Sequence, residues 1–361
     1  MEKHKNLFEQ FVTFENQYNG YLLARRNKRY KEAVLSYSAN LEENLINGIN
    51  RLIWKEYQVE RMHEFMEYYP KKRIIAALPF ADRVINCAAY NILCPIYSKS
   101  YYEHSYGSIA GRGPIRAAKQ LQYWMRLVSN KSGQWWLCKA DIAKFFFRIP
   151  FDVQIRELSR PIDDPDMMWF LEMATRGTGQ AFGIPLEAKD VENCARIQGI
   201  GMPVGSLISQ LTANVVMTPA DHYMKRVIRI PYYIRYMDDM IFLAPSKAEI
   251  HDALDMFKEF LISELGLVLN NKTVIMRADA GVEFVGKRIW PDKIQLRKST
   301  SLHMKQHLNY IKRHYSTGEI PYEYTHDVIV SYLGLMKHCN CDALRRKVLD
   351  DFALIRQLET I

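Results

Sequence analysis

Tyr236-Met237-Asp238-Asp239 sets two adjacent carboxylates at the tip of an apolar hairpin, with Tyr232-Tyr233-Ile234-Arg235 before them and Met240-Ile241-Phe242-Leu243 after. Taken alone, an Asp-Asp pair between strands is ordinarily a solvated turn. A third carboxylate changes that reading. Asp141 ends the apolar run Trp135 to Ala140 far upstream. If that strand neighbours the hairpin in one antiparallel sheet, the three acids converge at one edge. Converging carboxylates can hold two Mg²⁺ ions, which take oxygen ligands and leave places for phosphate. Paired divalent ions stabilise the attacking and leaving oxygens of an in-line phosphoryl displacement, so the chemistry indicated is nucleotidyl transfer.

The elements that must position these acids follow from periodicity. Residues 1–70 read as a helical extension, with Leu7, Phe11, Phe14 and Tyr18 on one face and a second amphipathic run from Ala33 to about Tyr57. Between them lies Arg25-Arg26-Asn27-Lys28-Arg29, either a phosphate contact or a solvated turn. Arg73 to Pro79 predicts a strand and Ala81 to Tyr97 a helix. Gly107, Gly111, Arg112, Gly113 and Pro114 then precede a helix bearing Arg116 and Lys119. Such turns suit close backbone approach to phosphate, without a Rossmann or Walker context. Residues 151–200 are polar and predict irregular chain, and Asp163-Asp164-Pro165-Asp166 reads as a loop and helix cap rather than a metal cluster. Ser209 to Arg226 predicts a helix, 232–244 the hairpin, Lys247 to Leu265 an amphipathic helix, and 267–289 a strand pair. From Arg297 to Ile361 the pattern is helical. There Met304, Leu308, Ile311 and Tyr315 form a stripe flanked by His303, His307, His314, Lys305, Lys312 and Arg313. His303 and His307 stand at metal spacing without the glutamate of a zincin motif, so a basic face for a nucleic-acid duplex is preferred.

Composition is that of an ordinary globular chain: 361 residues, 48% apolar and 25% charged, enough for two or three subdomains. A net charge of +9 favours a polyanionic partner over an acidic small molecule. The six cysteines, at 87, 94, 138, 194, 339 and 341, form no CxxC pair and read as reduced, buried thiols of a cytosolic protein. Met1-Glu2-Lys3-His4-Lys5 is charged with no apolar run behind it, so neither a signal peptide nor a membrane span is expected.

Five segments in order resemble the motifs of reverse transcriptases. They are Asp141 with Phe145 and Phe146; Gly201-Met202-Pro203-Val204-Gly205-Ser206-Leu207-Ile208-Ser209-Gln210; Tyr236-Met237-Asp238-Asp239; Gly266-Leu267-Val268-Leu269-Asn270-Asn271-Lys272-Thr273; and Glu283-Phe284-Val285-Gly286. The resemblance spans about residues 70 to 290. It implies an α+β right-hand polymerase: fingers and antiparallel-sheet palm over 71–296, a helical thumb over 297–361. It also implies an RNA-directed DNA polymerase using two Mg²⁺, or Mn²⁺, held by Asp141, Ile142, Asp238 and Asp239. Lys272 would protonate the leaving pyrophosphate. Arg73 or Arg83 would meet the incoming triphosphate, and Ile142, Phe146, Val204, Gly205 and Gln210 would line the nucleotide. An aromatic at Phe146 would clash with a 2′-hydroxyl and so select dNTPs. Phe284, Val285 and Gly286 would grip the primer.

Most of the family reads Pro-Gln-Gly and ends in Ser-Pro where this chain reads Pro203-Val204-Gly205 and ends in Ser209-Gln210. That departure is similar to enzymes of diversity-generating retroelements. It implies an error-prone, cytoplasmic enzyme of bacterial or phage origin, a structured template RNA, a cDNA or RNA primer and a small basic accessory protein. A defence-associated, abortive-infection type reverse transcriptase is the alternative, and a catalytically silent RNA-binding scaffold the third. Beyond the thumb no residues are left for an RNase H or endonuclease domain, so partners are expected.

Overall fold

The computed structural model describes residues 3–68, 72–177, 179–188, 194–350 and 352–356. Four helices open the chain: α1 (Leu7–Phe11), α2 (Phe14–Ala24), α3 (Glu32–Ala39) and α4 (Leu41–Ile53). The strands β1 (His63–Glu67) and β2 (Arg73–Ala77) pair antiparallel with Phe65 opposite Ile75. Then come α5 (Phe80–Tyr97), α6 (Pro114–Ser129), β3 (Trp136–Asp141), α7 (Phe145–Arg148), α8 (Phe151–Ser159), α9 (Pro165–Arg176) and α10 (Leu207–Arg226). The hairpin is β4 (Tyr232–Tyr236) and β5 (Asp239–Ala244), followed by α11 (Lys247–Leu265) and β6 (Val274–Arg277). A meander of β7 (Val282–Phe284), β8 (Lys287–Ile289) and β9 (Ile294–Leu296) leads to α12 (Lys298–Ser316), α13 (Tyr322–Met336) and α14 (Asp342–Leu349). Segregated helices and antiparallel strands make this an α+β chain, as expected. The sheet that carries the acids has the strand order β4-β5-β3-β6, with the Asp141 strand beside the second hairpin strand.

Two compact units divide the chain. One comprises Met1–Ala110, Ala140–Met240 and His251–Thr273, the other Gly111–Lys139, Ile241–Ile250 and Val274–Ile361. In the first, Phe11, Leu52, Leu93, Phe170 and Ile208 belong to one buried cluster, so the N-terminal helices share a core with α5, α9 and α10. In the second, Met304 and Leu308 of α12 pack with Tyr332 and Met336 of α13. Among the described residues no helix is long and apolar enough to cross a membrane. Among the described residues the cysteines form no disulfide; Cys87, Cys138 and Cys341 are buried, and the other three half-buried.

Several expectations need correction. Thr13 accepts the N–H of Asn16 and caps α2, which ends α1 and turns the stripe: Leu7 and Phe11 are buried, whereas Phe14 and Tyr18 are exposed. The run from Ala33 to Tyr57 is two helices broken at Asn40, and β1 is a strand inside the stretch read as helical. Residues 151–200 carry α8 and α9 rather than irregular chain. Asp164 is the cap of α9, as its sequence indicated: its carboxylate accepts the N–H of Met167 at 2.9 Å. The terminal helices stop at Leu349; residues 352–356 are not helical, and 351 and 357–361 lie outside the described residues.

Candidate active site

Asp141 is the last residue of β3, and its main chain is fastened on both sides. Its carbonyl accepts the N–H of Asn270 at 2.6 Å, the N–H of Ala143 reaches Val268 at 2.9 Å, and the N–H of buried Ile142 donates to the carbonyl of Asp238 at 3.3 Å. The carboxylate Oδ2 of Asp141 also accepts from the Asn270 side-chain amide at 3.3 Å. These bonds bring the Asp141 carboxyl within hydrogen-bonding reach of Asp238. Burial, and then the negative charge of Asp141, push the Asp238 carboxyl up to about 6, while Arg73 pulls it the other way. Two acids facing each other near a guanidinium are a site that draws positive charge. Asp239 follows at the start of β5, half-buried like Asp238 before it. Among the described residues, no group of three or more His, Cys, Asp or Glu side chains is arranged to hold a metal ion.

The loop expected to line the nucleotide is built from the backbone. Phe146 lies in α7, five residues past Asp141, edge-on to Phe145 at 5.4 Å between ring centroids. Its carbonyl accepts the N–H of Met202 at 2.7 Å. Two residues on, the carbonyl of Val204 accepts the N–H of Ala76 in β2, also at 2.7 Å. Gly205 sits at φ +131°, and a Cβ there would come within 2.8 Å of the Ala76 carbonyl oxygen, so only glycine fits against β2. Ser206 then caps α10, and half-buried Gln210 lies in its first turn. The loop is thus stitched to α7 on one side and to the strand carrying Arg73 on the other.

Of the two expected arginines, Arg73 is the one whose charge reaches Asp238. Arg83 instead donates to the carbonyl of Leu78 at 3.1 Å and faces Lys28 and Cys87. Nor does Arg83 pair with Asp82, which accepts from the Tyr57 hydroxyl and the N–H of Glu60, both at 2.9 Å. Lys272 is exposed, on a turn in which its N–H donates to Asn270 Oδ1 at 3.1 Å. Phe284, Val285 and Gly286 belong to the other unit. There Val285 and Gly286 form the two-residue turn between β7 and β8, both with positive φ (45° and 75°), a type I′ hairpin. Phe284 is buried, and the Gly286 carbonyl accepts the N–H of Arg297 at 3.3 Å. On α12, His307 Nδ1 bonds the Tyr332 hydroxyl at 2.8 Å, which leaves the His303–His307 spacing a packing contact.

Sequence reasoning assigned no role to Asn270, although it lies inside a quoted motif, or to Arg235. The signal for Arg235 was present: a charged residue inside an apolar strand demands a buried partner. That partner, Asp221, lies in an otherwise apolar stretch of α10.

Residues 67–317 match the family model described as Reverse transcriptase (RNA-dependent DNA polymerase). The chain belongs to that family. This reverse transcriptase is 21% identical over 259 residues to Protein YkfC of Escherichia coli K12, covering 62% of this chain and 65% of that one. It is 22% identical over 261 residues to the Putative COX1/OXI3 intron 2 protein of Saccharomyces cerevisiae, covering 57% of this chain and 29% of that one. The chain therefore spans less than two thirds of the length of these relatives. Among solved structures, telomerase from Candida tropicalis in complex with a TWJ fragment of telomeric RNA aligns over 84% of this chain and 58% of its own, at 12% identity and a TM-score of 0.48. Telomerase from Candida albicans aligns over 82% and 56%, at 11% identity and a TM-score of 0.46.

Proposed function

We propose that this reverse transcriptase is an RNA-directed DNA polymerase that extends a cDNA or RNA primer along a structured template RNA, using dNTPs. The observation that carries the reading is the seam between β3 and the hairpin, where the N–H of Ile142 on the Asp238 carbonyl at 3.3 Å sets Asp141 beside Asp238, with Arg73 near enough to act on Asp238. Facing carboxylates persist at neutral pH when a cation is supplied, and an oxygen-only donor set fits Mg²⁺ or Mn²⁺ rather than a softer metal. Asp141, Asp238 and Asp239, with Ile142 beside them, would hold two such ions by closing on them, since the three acids are not gathered into one metal-binding group beforehand. When bound, these supply stabilisation of the attacking and leaving oxygens.

The primer 3′-oxygen bonds to the α-phosphorus of the dNTP as the bond from that phosphorus to the bridging oxygen breaks. The hydroxyl proton goes to solvent, and the exposed Lys272 gives a proton to the departing pyrophosphate. Arg73 draws in the triphosphate by charge and by its planar fork of donors. Phe146 lies beneath the sugar and excludes a 2′-hydroxyl. Primer extension on poly(rA) and on a heteropolymeric RNA, with and without Mg²⁺, tests the reading. Asp238→Ala should abolish incorporation while template binding persists. Equal function in that variant would favour an RNA-binding scaffold.

Within this activity we infer an error-prone enzyme of the diversity-generating retroelement type, working with a small basic accessory protein. Support comes from the 201–210 loop. Val204 is anchored by its carbonyl, so its half-buried side chain offers packing where an amide would offer hydrogen bonds. A fidelity assay on wild type and Val204→Gln decides: misincorporation opposite template adenine should fall in the variant, and an unchanged rate would remove the support.

A further inference from the structure

Arg235 is wholly buried one residue before the catalytic turn, and the chemistry above leaves it without a task. Its Nε donates to Asp221 Oδ1 at 2.7 Å and Oδ2 at 3.0 Å, and its Nη2 donates to Asp221 Oδ2 at 2.7 Å. Its Nη1 donates to Asn214 Oδ1 at 3.2 Å and to the main-chain carbonyl of Met237 at 3.0 Å. Asn214 passes the connection on, its Nδ2 donating to the carbonyl of Gly107 at 2.9 Å. Gly107 in turn lies against Met237, so closely that a Cβ there would come within 2.5 Å of Met237 Cγ. A closed circuit runs from Arg235 through Met237, Gly107 and Asn214 back to Arg235, with Asp221 clamping the guanidinium from behind.

Stability alone does not explain this arrangement. A buried ion pair is costly to dehydrate, and apolar residues of similar volume commonly replace one without loss of stability. Apolar side chains cannot hold a carbonyl. The carbonyl held here belongs to the peptide that joins Met237 to Asp238, and Met237 sits at φ +57°, a left-handed conformation that residues other than glycine seldom adopt. A permanently charged donor fixed on its other edge keeps that peptide in place. Asn214 and Asp221 are seven residues apart and so share a face of α10. The same helix begins at Ser206 and Gln210, next to the Val204–Gly205 loop.

We propose that Asp221, Arg235 and Asn214 are positioning residues that set the Met237–Asp238 peptide, and with it the Asp238 carboxylate, to receive a divalent cation. The proposal rests on the polymerase reading above. It makes α10 a shared strut, with the nucleotide loop at its start and the catalytic turn fastened along its length.

The test compares wild type with the double variant Asp221→Leu, Arg235→Met, and with Asn214→Leu, which leaves the ion pair in place but removes both amide links. Three quantities are read: Mn²⁺ affinity from the electron paramagnetic resonance signal of free Mn²⁺, steady-state kcat and dNTP KM, and thermal melting. Both variants are expected to melt cooperatively, to bind Mn²⁺ about tenfold more weakly and to lose about a hundredfold in kcat, with KM within about threefold of wild type. A folded double variant with wild-type Mn²⁺ affinity and kcat overturns the proposal. If the double variant does not fold, Asn214→Leu decides by the same readouts, and wild-type values there overturn it. A wild-type protein that neither binds Mn²⁺ nor incorporates dNTPs overturns the polymerase reading and the proposal with it.

Discussion

Asn270 holds Asp141 at two points, its N–H on the Asp141 carbonyl at 2.6 Å and its side-chain amide on Oδ2 at 3.3 Å. The same residue accepts the N–H of Lys272 through Oδ1 at 3.1 Å, so the acid at the end of β3 and the turn carrying the lysine share one support.

Removing that support should misplace Asp141 without deleting it. Asn270→Ala is expected to lower kcat by about ten- to a hundredfold, because a displacement near 1 Å at a reacting centre has that effect. The dNTP KM should stay within about threefold, since Arg73, the proposed triphosphate contact, has no bond to Asn270. Steady-state primer extension measures both, and a large rise in KM with unchanged kcat would assign Asn270 to substrate binding instead.

The raised pKa of Asp238 has a sign that can be checked. A carboxyl whose folded value lies above its unfolded value favours the folded state fully at pH below its ordinary range, and that contribution is lost as pH rises through about 6. The metal-free protein should therefore gain stability at pH 7.5 from Asp238→Asn, by at most about 3 kcal/mol, with the advantage shrinking towards pH 4. Mg²⁺ should reverse the order by stabilising wild type alone. Melting curves across pH, with and without Mg²⁺, give the result; a variant less stable than wild type at pH 7.5 without metal would contradict it.

Gly205→Ala tests the fit of the 201–206 loop against β2. The substitution meets both a φ of +131° and the Ala76 carbonyl, so the loop must move away from the strand. A loss of about 1–3 kcal/mol is expected. A several-fold rise in dNTP KM should accompany it, because this contact ties the Val204 segment to the strand that carries Arg73. Wild-type melting and KM would show that the loop tolerates the shift.

What could be read from sequence, and what could not, divides along a physical line. The Asp238–Asp239 turn and the strand ending in Asp141 were legible because each is a polar break in an apolar run, and α11 because its stripe is regular. Helix α8 was not, because its buried face is partly polar. Gln154 donates to the carbonyls of Ile149 and Gly201, and buried Glu157 binds Arg156 and Arg160, so the apolar period is interrupted on the buried face itself. Strand β1 is almost wholly exposed and offers no alternation to find. At the site itself, residue types named the acids, but only geometry distinguishes Arg73, which reaches Asp238, from Arg83, which is turned towards Leu78. Supports such as Asn270 and Arg235 act through partners distant in sequence, Asp141 for the one and Asp221 with Asn214 for the other, and a residue type does not disclose a partner that far along the chain.

The acidic run at 163–166 gives the last prediction. Besides capping α9, the Asp164 carboxylate accepts the N–H of Leu7 at 2.7 Å and of Phe8 at 2.9 Å, at the start of α1. One buried side chain therefore satisfies donors of two helix starts, and the fastening is reinforced where the N–H of Asp163 meets the carbonyl of His4 at 2.8 Å. Asp164→Ala strands three buried N–H groups at once. With a hydrogen bond to a charged acceptor contributing about 1.5–3 kcal/mol, the substitution should destabilise the first unit by at least about 2 kcal/mol and free α1 from its socket. Limited proteolysis should then cut near residues 6–13 well before the rest of the chain. Asp164→Asn, which keeps an acceptor oxygen, should recover part of the loss. If cleavage in Asp164→Ala begins elsewhere, α1 is held chiefly by Phe8 and Phe11 in the apolar core, and the carboxylate is a cap for α9 alone.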